Sequence, residues 1–255
     1  MPTLMVYNDE GAENLLPVHK YISSRNFPSV ASCCNEVEGG IDGLITSHAY
    51  TFLDVQELKD SSGKVAHVIA KLRNPWSSER YIGKWNDDDD ESWTDEWKEQ
   101  VNLVDRNDGI FWMPYENFLK FFRFLDVAYY GDYKTEFRYF EATARNTYFR
   151  VYNPVDQELF FTGEVYSGRH FPRAEKCDID TNIRLYLRKD GKSVEPLRSS
   201  AKINHRGFAS VGKYIGKLPK GEYQFRILNR NAPGGQKNVT IQISASEQLP
   251  TITDW

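Results

Sequence analysis

Cysteine is scarce in this chain: three among 255 residues, at positions 33, 34 and 177. Two adjacent cysteines and one distant one cannot make an evenly spaced disulfide framework, so reduced thiols are expected. No run of about 18 apolar residues occurs, which excludes a membrane-spanning helix. The N-terminus has no apolar core flanked by basic residues, so no secretory leader is expected. An excess of one charge is also missing. Lys and Arg number 32 against 36 Asp and Glu, a net charge of -4, which gives no footprint for nucleic acid or for electrostatic membrane attachment. Internal repeats are absent, and the only biased tract is the acidic run Asp87-Asp88-Asp89-Asp90-Glu91. These absences together predict a reduced, soluble, cytoplasmic protein without a nucleic-acid partner.

What is present is apolar and aromatic. Apolar residues make up 40% of the chain and aromatics 14%, the composition of a folded protein, and the length suits two ordinary domains. Residues 14–24 have helical periodicity, with Leu15, Leu16, Val18 and Ile22 directed to a core. Two β-rich runs, 49–58 and 65–73, flank a polar turn at 59–64 that contains Ser62-Gly63. Residues 94–103 read as a helix introduced by Ser92 and Asp95, a capping box with Asp in place of Glu. Pro114 opens a second helix, 115–123, whose Phe118, Leu119, Phe121 and Phe122 form the buried stripe.

Beyond Tyr130-Gly131-Asp132 the period changes to two. Ile183, Leu185 and Leu187 alternate with polar or amphipathic neighbours, as do Tyr223, Phe225 and Ile227, and Val239, Ile241 and Ile243. Turn signals at Asp190-Gly191, Lys220-Gly221 and Gly234-Gly235 separate these strands. About seven strands of this kind predict an antiparallel β-sandwich. The expected fold class is α+β over residues 1–130 followed by all-β over residues 131–255.

Four short segments carry chemistry: Ser47-His48-Ala49-Tyr50, Arg73-Asn74-Pro75-Trp76, Trp85-Asn86-Asp87 and Asp108-Gly109-Ile110-Phe111-Trp112. An imidazole and an amide brought together from neighbouring strands can form a base and its orienting partner. In this order and spacing the segments resemble the calpain family of papain-like cysteine proteases. The resemblance covers the second subdomain of the protease core, the half that bears histidine and asparagine. The β-rich half is similar to the C2-like sandwich that follows the core in that family. His48 is then implied as general base and acid, Asn74 as its orienting residue, and Trp76 as the ring that shields their hydrogen bond. His19, His67, His170 and His205 lack such context and are expected to be structural.

The family's reactive cysteine opens a helix far upstream of the histidine, and this chain places His48 too near Met1 to include it. Cys33 and Cys34 lie in a β-type segment leading to Glu36 and Glu38, whose charges would raise a thiol pKa. Cys177 falls in the sandwich. No nucleophile is therefore assigned. Calcium is implied by the resemblance, with Asp87 and Asp108 at two ligand positions and the site degraded by Arg80 and Ile110, where the family usually has glutamates. The acidic run at 87–91 either compensates or is a solvated loop.

The expected function is intracellular proteolysis by a calpain-like cysteine endopeptidase, present as a C-terminal portion that is inactive alone and acts on protein substrates when a Cys-bearing subdomain complements it. A truncated copy, a separate subunit and a catalytically dead relative all fit this pattern. The alternative is a non-catalytic regulatory or binding protein that contacts protein or lipid through the C2-like domain, where Arg169, His170, Arg173, Lys176, Lys189 and Arg198 are among the basic side chains. A half-core should also expose apolar surface near His48 and Trp76.

Overall fold

A long hairpin organises the first half of the chain. Strands β3 (Ala49–Lys59) and β4 (Val65–Arg73) pair antiparallel from Thr51↔Arg73 to Lys59↔Val65. Their turn is built on Asp60, whose Oδ1 accepts from the Ser62 N–H, the Ser62 hydroxyl and the Lys64 N–H. Gly63 supplies the left-handed residue, φ 81°. β2 (Ser29–Cys33) pairs with β3, and β5 (Ile110–Pro114) with β4. With β1 (Thr3–Tyr7) and β6 (Phe122–Ala128) they form a six-stranded sheet in the order β1-β6-β2-β3-β4-β5.

The computed structural model describes residues 3–8, 11–33, 42–78, 80–104, 106–141, 144–165, 183–194, 209–229 and 238–254. Two units emerge, Met5–Ala128 and Tyr129–Trp255 with Met1–Leu4. Antiparallel sheet dominates both, and no described helix is long and apolar enough to cross a membrane.

In the first unit, period two sends alternate side chains of β4 to opposite faces of the sheet. Ile69 joins Leu58, Trp85, Trp93 and Trp112 in one cluster, against which Trp97, Val101 and Leu103 pack. Trp97 and Val101 belong to helix α2 (Asp95–Val101). Helix α1 (Ala12–Ser24) packs beside β3 and buries Leu15, Val18, His19 and Ile22. The expected stripe is corrected at one position: Leu16 is half-buried, and His19 holds the fully buried place. Its ring lies against Phe52, Tyr115 and Phe118, the last two from helix α3 (Tyr115–Phe121).

Two helix boundaries also differ from expectation. The N-cap of α2 is Thr94, whose hydroxyl accepts from the Trp97 N–H, whereas the Ser92 N–H is turned to the Asp89 carboxylate. A hydroxyl at either position satisfies the capping preference, and the turn made by Asp89 selects the later one. α3 stops at Phe121, because Phe122 is already extended (φ -112°, ψ 120°) and begins β6. Phe122 remains buried, on a strand rather than a helix.

Two sheets form the second unit. β11 (Lys192–Ser193), β10 (Ile183–Lys189), β13 (Gly221–Asn229), β8 (Asn146–Asn153) and β15 (Thr251–Asp254) make one, in that order. β12 (Ala209–Leu218), β9 (Gln157–Val165), β14 (Asn238–Ala245) and β7 (Lys134–Glu141) make the other. A single apolar core joins them: Leu185, Leu187, Phe225 and Ile227 from the first meet Phe161, Val239, Ile241 and Ile243 from the second. Phe161 stacks on Phe225 across this core with centroids 4.9 Å apart. At Asp190-Gly191, φ values of 50° and 75° make the two-residue turn that such a pair favours. Gly234-Gly235, Cys34, Cys177, His170, His205 and the basic residues at 169, 173, 176 and 198 lie outside the described residues.

Candidate functional site

His48 and Asn74 flank the open end of the β3–β4 hairpin. His48 immediately precedes β3, and Asn74 immediately follows β4. Neighbouring strands continue the ladder on either side, since the Cys33 N–H donates to the His48 carbonyl at 2.9 Å and the Asn74 N–H donates to the Gly109 carbonyl at 2.8 Å. Four backbone segments thus bring the two side chains together, with His48 Nε2 and Asn74 Oδ1 3.1 Å apart.

The amide orientation follows from its partners. Asn74 is fully buried, its Nδ2 donates to the Ser78 carbonyl at 3.0 Å, and its Oδ1 accepts from the Trp76 N–H at 3.1 Å. Oδ1 is therefore the atom that faces the imidazole, and it can only accept. Neutral His48 must carry its proton on Nε2, which leaves the lone pair on Nδ1. No hydrogen bond joins Nδ1 to any described residue.

Two aromatic rings fix the imidazole plane. Trp76 lies over it at 4.5 Å between centroids, tilted by 49°, and is itself 58% exposed. Tyr50 meets it edge-on at 4.9 Å. The buried Tyr50 hydroxyl accepts from the Ile45 N–H at 2.9 Å, bracing the loop in which Ser47 takes a positive φ of 51°. Burial raises the Tyr50 pKa, the Ile45 hydrogen bond works against that shift, and the nearby Cys33 adds to it, so the phenol stays protonated. Tyr50 lay inside the quoted motif without a role, and its contact with His48 becomes visible only in three dimensions. Cys33 is buried in β2. Ile82 is 76% exposed, and its N–H donates to the Asp42 carbonyl in the loop that leads to His48.

Gly109 is the other residue whose role emerges from the structure. At φ 86° a Cβ there would come within 2.7 Å of the Asn74 carbonyl oxygen and 3.1 Å of the Ser78 nitrogen. Gly109→Ala is expected to cost roughly 1–3 kcal/mol and to displace the Asn74 turn. A thermal melt of the full chain checks the first effect, and the His48 ring resonances check the second. An unchanged melting temperature would contradict this close packing.

The acidic positions are more dispersed. Asp108 Oδ1 accepts from the Ile110 N–H at 2.9 Å, and Asp87 Oδ2 from the Arg106 N–H at 3.4 Å. Asp89 accepts from the Trp85 and Ser92 N–H groups. Burial raises its pKa, but the hydrogen bonds from Ser92, Trp85 and Glu91 outweigh that and leave it below the usual carboxylate value. Among the described residues no group of three or more His, Cys, Asp or Glu side chains is arranged to hold a metal ion. Calcium takes six to eight oxygen ligands, and this donor set does not fit a tight site.

An imidazole tied by one nitrogen to a buried amide, with its other nitrogen left as a lone pair, has the chemistry to take up and return a proton. Residues 12–129 match the family described as calpain family cysteine protease. Calpain-7 of Mus musculus is 32% identical over 99 residues, 37% of this chain and 11% of that protein. The calpain-type cysteine protease DEK1 of Arabidopsis thaliana is 34% identical over 107 residues, 41% of this chain and 5% of that one. The Calpain-2 catalytic subunit of Mus musculus is 35% identical over 86 residues, 33% and 12% respectively. The matched stretch thus spans only a small part of these relatives' length. A solved structure of the cysteine protease and lectin-like domains of Cwp84 from Clostridium difficile aligns at TM-score 0.26 and 10% identity, over 94% of this chain and 52% of that one.

Proposed function

We propose that this chain supplies the histidine–asparagine half of a calpain-type cysteine endopeptidase that cleaves cytoplasmic proteins. The observation that carries this is the 3.1 Å contact between His48 Nε2 and a buried, orientation-locked Asn74. The first unit then corresponds to the second subdomain of a papain-like core, and the two-sheet unit to a C2-like sandwich.

In this function Nδ1 of His48 takes the proton of a thiol supplied from outside the described residues, giving a thiolate–imidazolium pair. The thiolate attacks the peptide carbonyl, and the imidazolium returns its proton to the departing amine. His48 then deprotonates the water that hydrolyses the thioester, which restores the thiol. Throughout, Asn74 accepts from Nε2–H and keeps the ring in plane, while Trp76 limits water access from one side.

Adding a Cys-bearing calpain subdomain to the full chain tests the proposal. Peptide hydrolysis that neither component supports alone is the expected result. No activity from an assembled complex would overturn it.

Calcium enters as a weak ligand through Asp87 and Asp108, with Arg80 and Ile110 reducing the negative charge available. A calorimetric titration is expected to give binding no tighter than roughly 10⁻⁴ M. Micromolar binding would contradict the proposed degradation of that site.

A further inference from the structure

One face of the five-stranded sheet carries chemistry that proteolysis does not use, and strand register fixes its composition. Tyr186 of β10 pairs with Arg226 of β13, which pairs with Tyr148 of β8. Two residues along, Arg188 pairs with Gln224 and Gln224 with Arg150. The intervening Leu187, Phe225 and Phe149 are in the core, so period two puts both rows on the side away from it. Adjacent strands lie about 5 Å apart and successive same-face residues about 7 Å apart, so three arginines converge within roughly 10 Å.

Among the described residues, two of these arginines have no acceptor at Nε. The Nε atoms of Arg188 and Arg226 are buried and have no hydrogen-bond partner among the described residues. Neither residue forms an ion pair there. The Arg226 guanidinium sits 4.1 Å over the Tyr186 ring, which holds its donor fork in a fixed plane. Neighbouring like charges on one sheet face repel unless an anion joins them. By register, Glu222 is the next acidic position, in the following row opposite Tyr152.

We propose that this face docks an extended Asp- and Glu-rich segment of a protein partner, with carboxylates bound by Arg188, Arg226 and Arg150. An extended segment presents every second side chain on one side about 7 Å apart, which matches the spacing of the rows. The cations of these rows are all arginine and lie among tyrosines. Arginine grips carboxylates bidentately, and both residue types are enriched at protein interfaces, where lysine is depleted. A membrane surface would more typically be met by a lysine-rich cluster beside inserting apolar groups. The inference does not depend on the protease function.

The test titrates the full chain against a fluorescein-labelled peptide of alternating Glu and Thr, with a Gln and Thr peptide as control, by fluorescence anisotropy. Saturable binding of the acidic peptide is expected, weakening as salt rises. The pair Arg188→Gln and Arg226→Gln should weaken it at least about tenfold without lowering the melting temperature. Should the double variant fail to fold, Arg226→Lys keeps the charge, removes the fork and is expected to weaken binding severalfold. Equal binding by variant and wild type, or no saturable binding, overturns the proposal. Binding to phosphatidylserine vesicles in preference to the peptide overturns it as well, in favour of a membrane.

Discussion

In a reconstituted peptidase, His48→Ala is expected to lower kcat by about 10³-fold or more, because no other described group is positioned to move the proton. Asn74→Ala should be milder, about 10- to 100-fold in kcat with KM little changed, since the ring keeps its place between Trp76 and Tyr50 but loses the acceptor that fixes its tautomer. The two effects should not add: once the base is gone, its orienting partner has nothing to orient. Measuring kcat and KM for both single variants and the double variant checks this directly. Retained activity in His48→Ala would remove the histidine from the mechanism. Fully additive losses would separate Asn74 from it.

A second large effect concerns stability and comes from His19. Burial lowers its pKa from 6.5 to about 3. Burial also keeps the Tyr115 phenol protonated, and its hydroxyl lies within hydrogen-bond distance of His19 Nδ1, at 2.8 Å. The other ring nitrogen, Nε2, is buried without a partner among the described residues. Between pH 6.5 and 3 the unfolded chain binds a proton here that the folded chain refuses, so this contribution is complete above pH 6.5 and lost as pH falls. At pH 4 the loss amounts to about 3 kcal/mol. Asp126 acts in the opposite sense, because burial raises its pKa. The informative quantity is therefore the difference between wild type and His19→Leu in denaturant stability from pH 7 to pH 4. A wild-type stability that falls more steeply is expected; parallel pH curves would contradict the burial of a neutral His19. Where the variant folds poorly, the His19 Cε1–H resonance of the wild type serves instead, and it should not titrate above pH 4.

Much of the architecture was legible because its signals are local. The β3–β4 hairpin announced itself through two β-rich runs around Ser62-Gly63, and Asp190-Gly191 has the φ values its residue types favour. β6 was hidden because no breaker separates it from α3: Phe121 and Phe122 suit a helix stripe and a strand face equally well, and pairing with β2 decides between them. His19, expected to be structural, is absent from the expected α1 stripe because a histidine there resembles a polar interruption until Phe52, Tyr115 and Phe118 enclose it. At the site, the residue types at 48, 74 and 76 suggested the chemistry. The groups that make it specific are a backbone carbonyl at Ser78, a glycine whose Cβ would collide at 109 and a phenol at Tyr50 bound to the Ile45 N–H. Backbone carbonyls and collisions have no signature in a string of residue types. The arginine–tyrosine face was likewise invisible until register aligned β10, β13 and β8.

The central claim is that Asn74 holds His48 as the Nε2–H tautomer and leaves Nδ1 as the base. A long-range ¹H–¹⁵N correlation spectrum of the ring nitrogens in the full chain at neutral pH tests it most directly. The expected result is a protonated-type shift at Nε2 and an unprotonated-type shift at Nδ1, with this distinction averaging out in Asn74→Ala. A proton on Nδ1 in the wild type, or a spectrum that Asn74→Ala leaves unchanged, would contradict it.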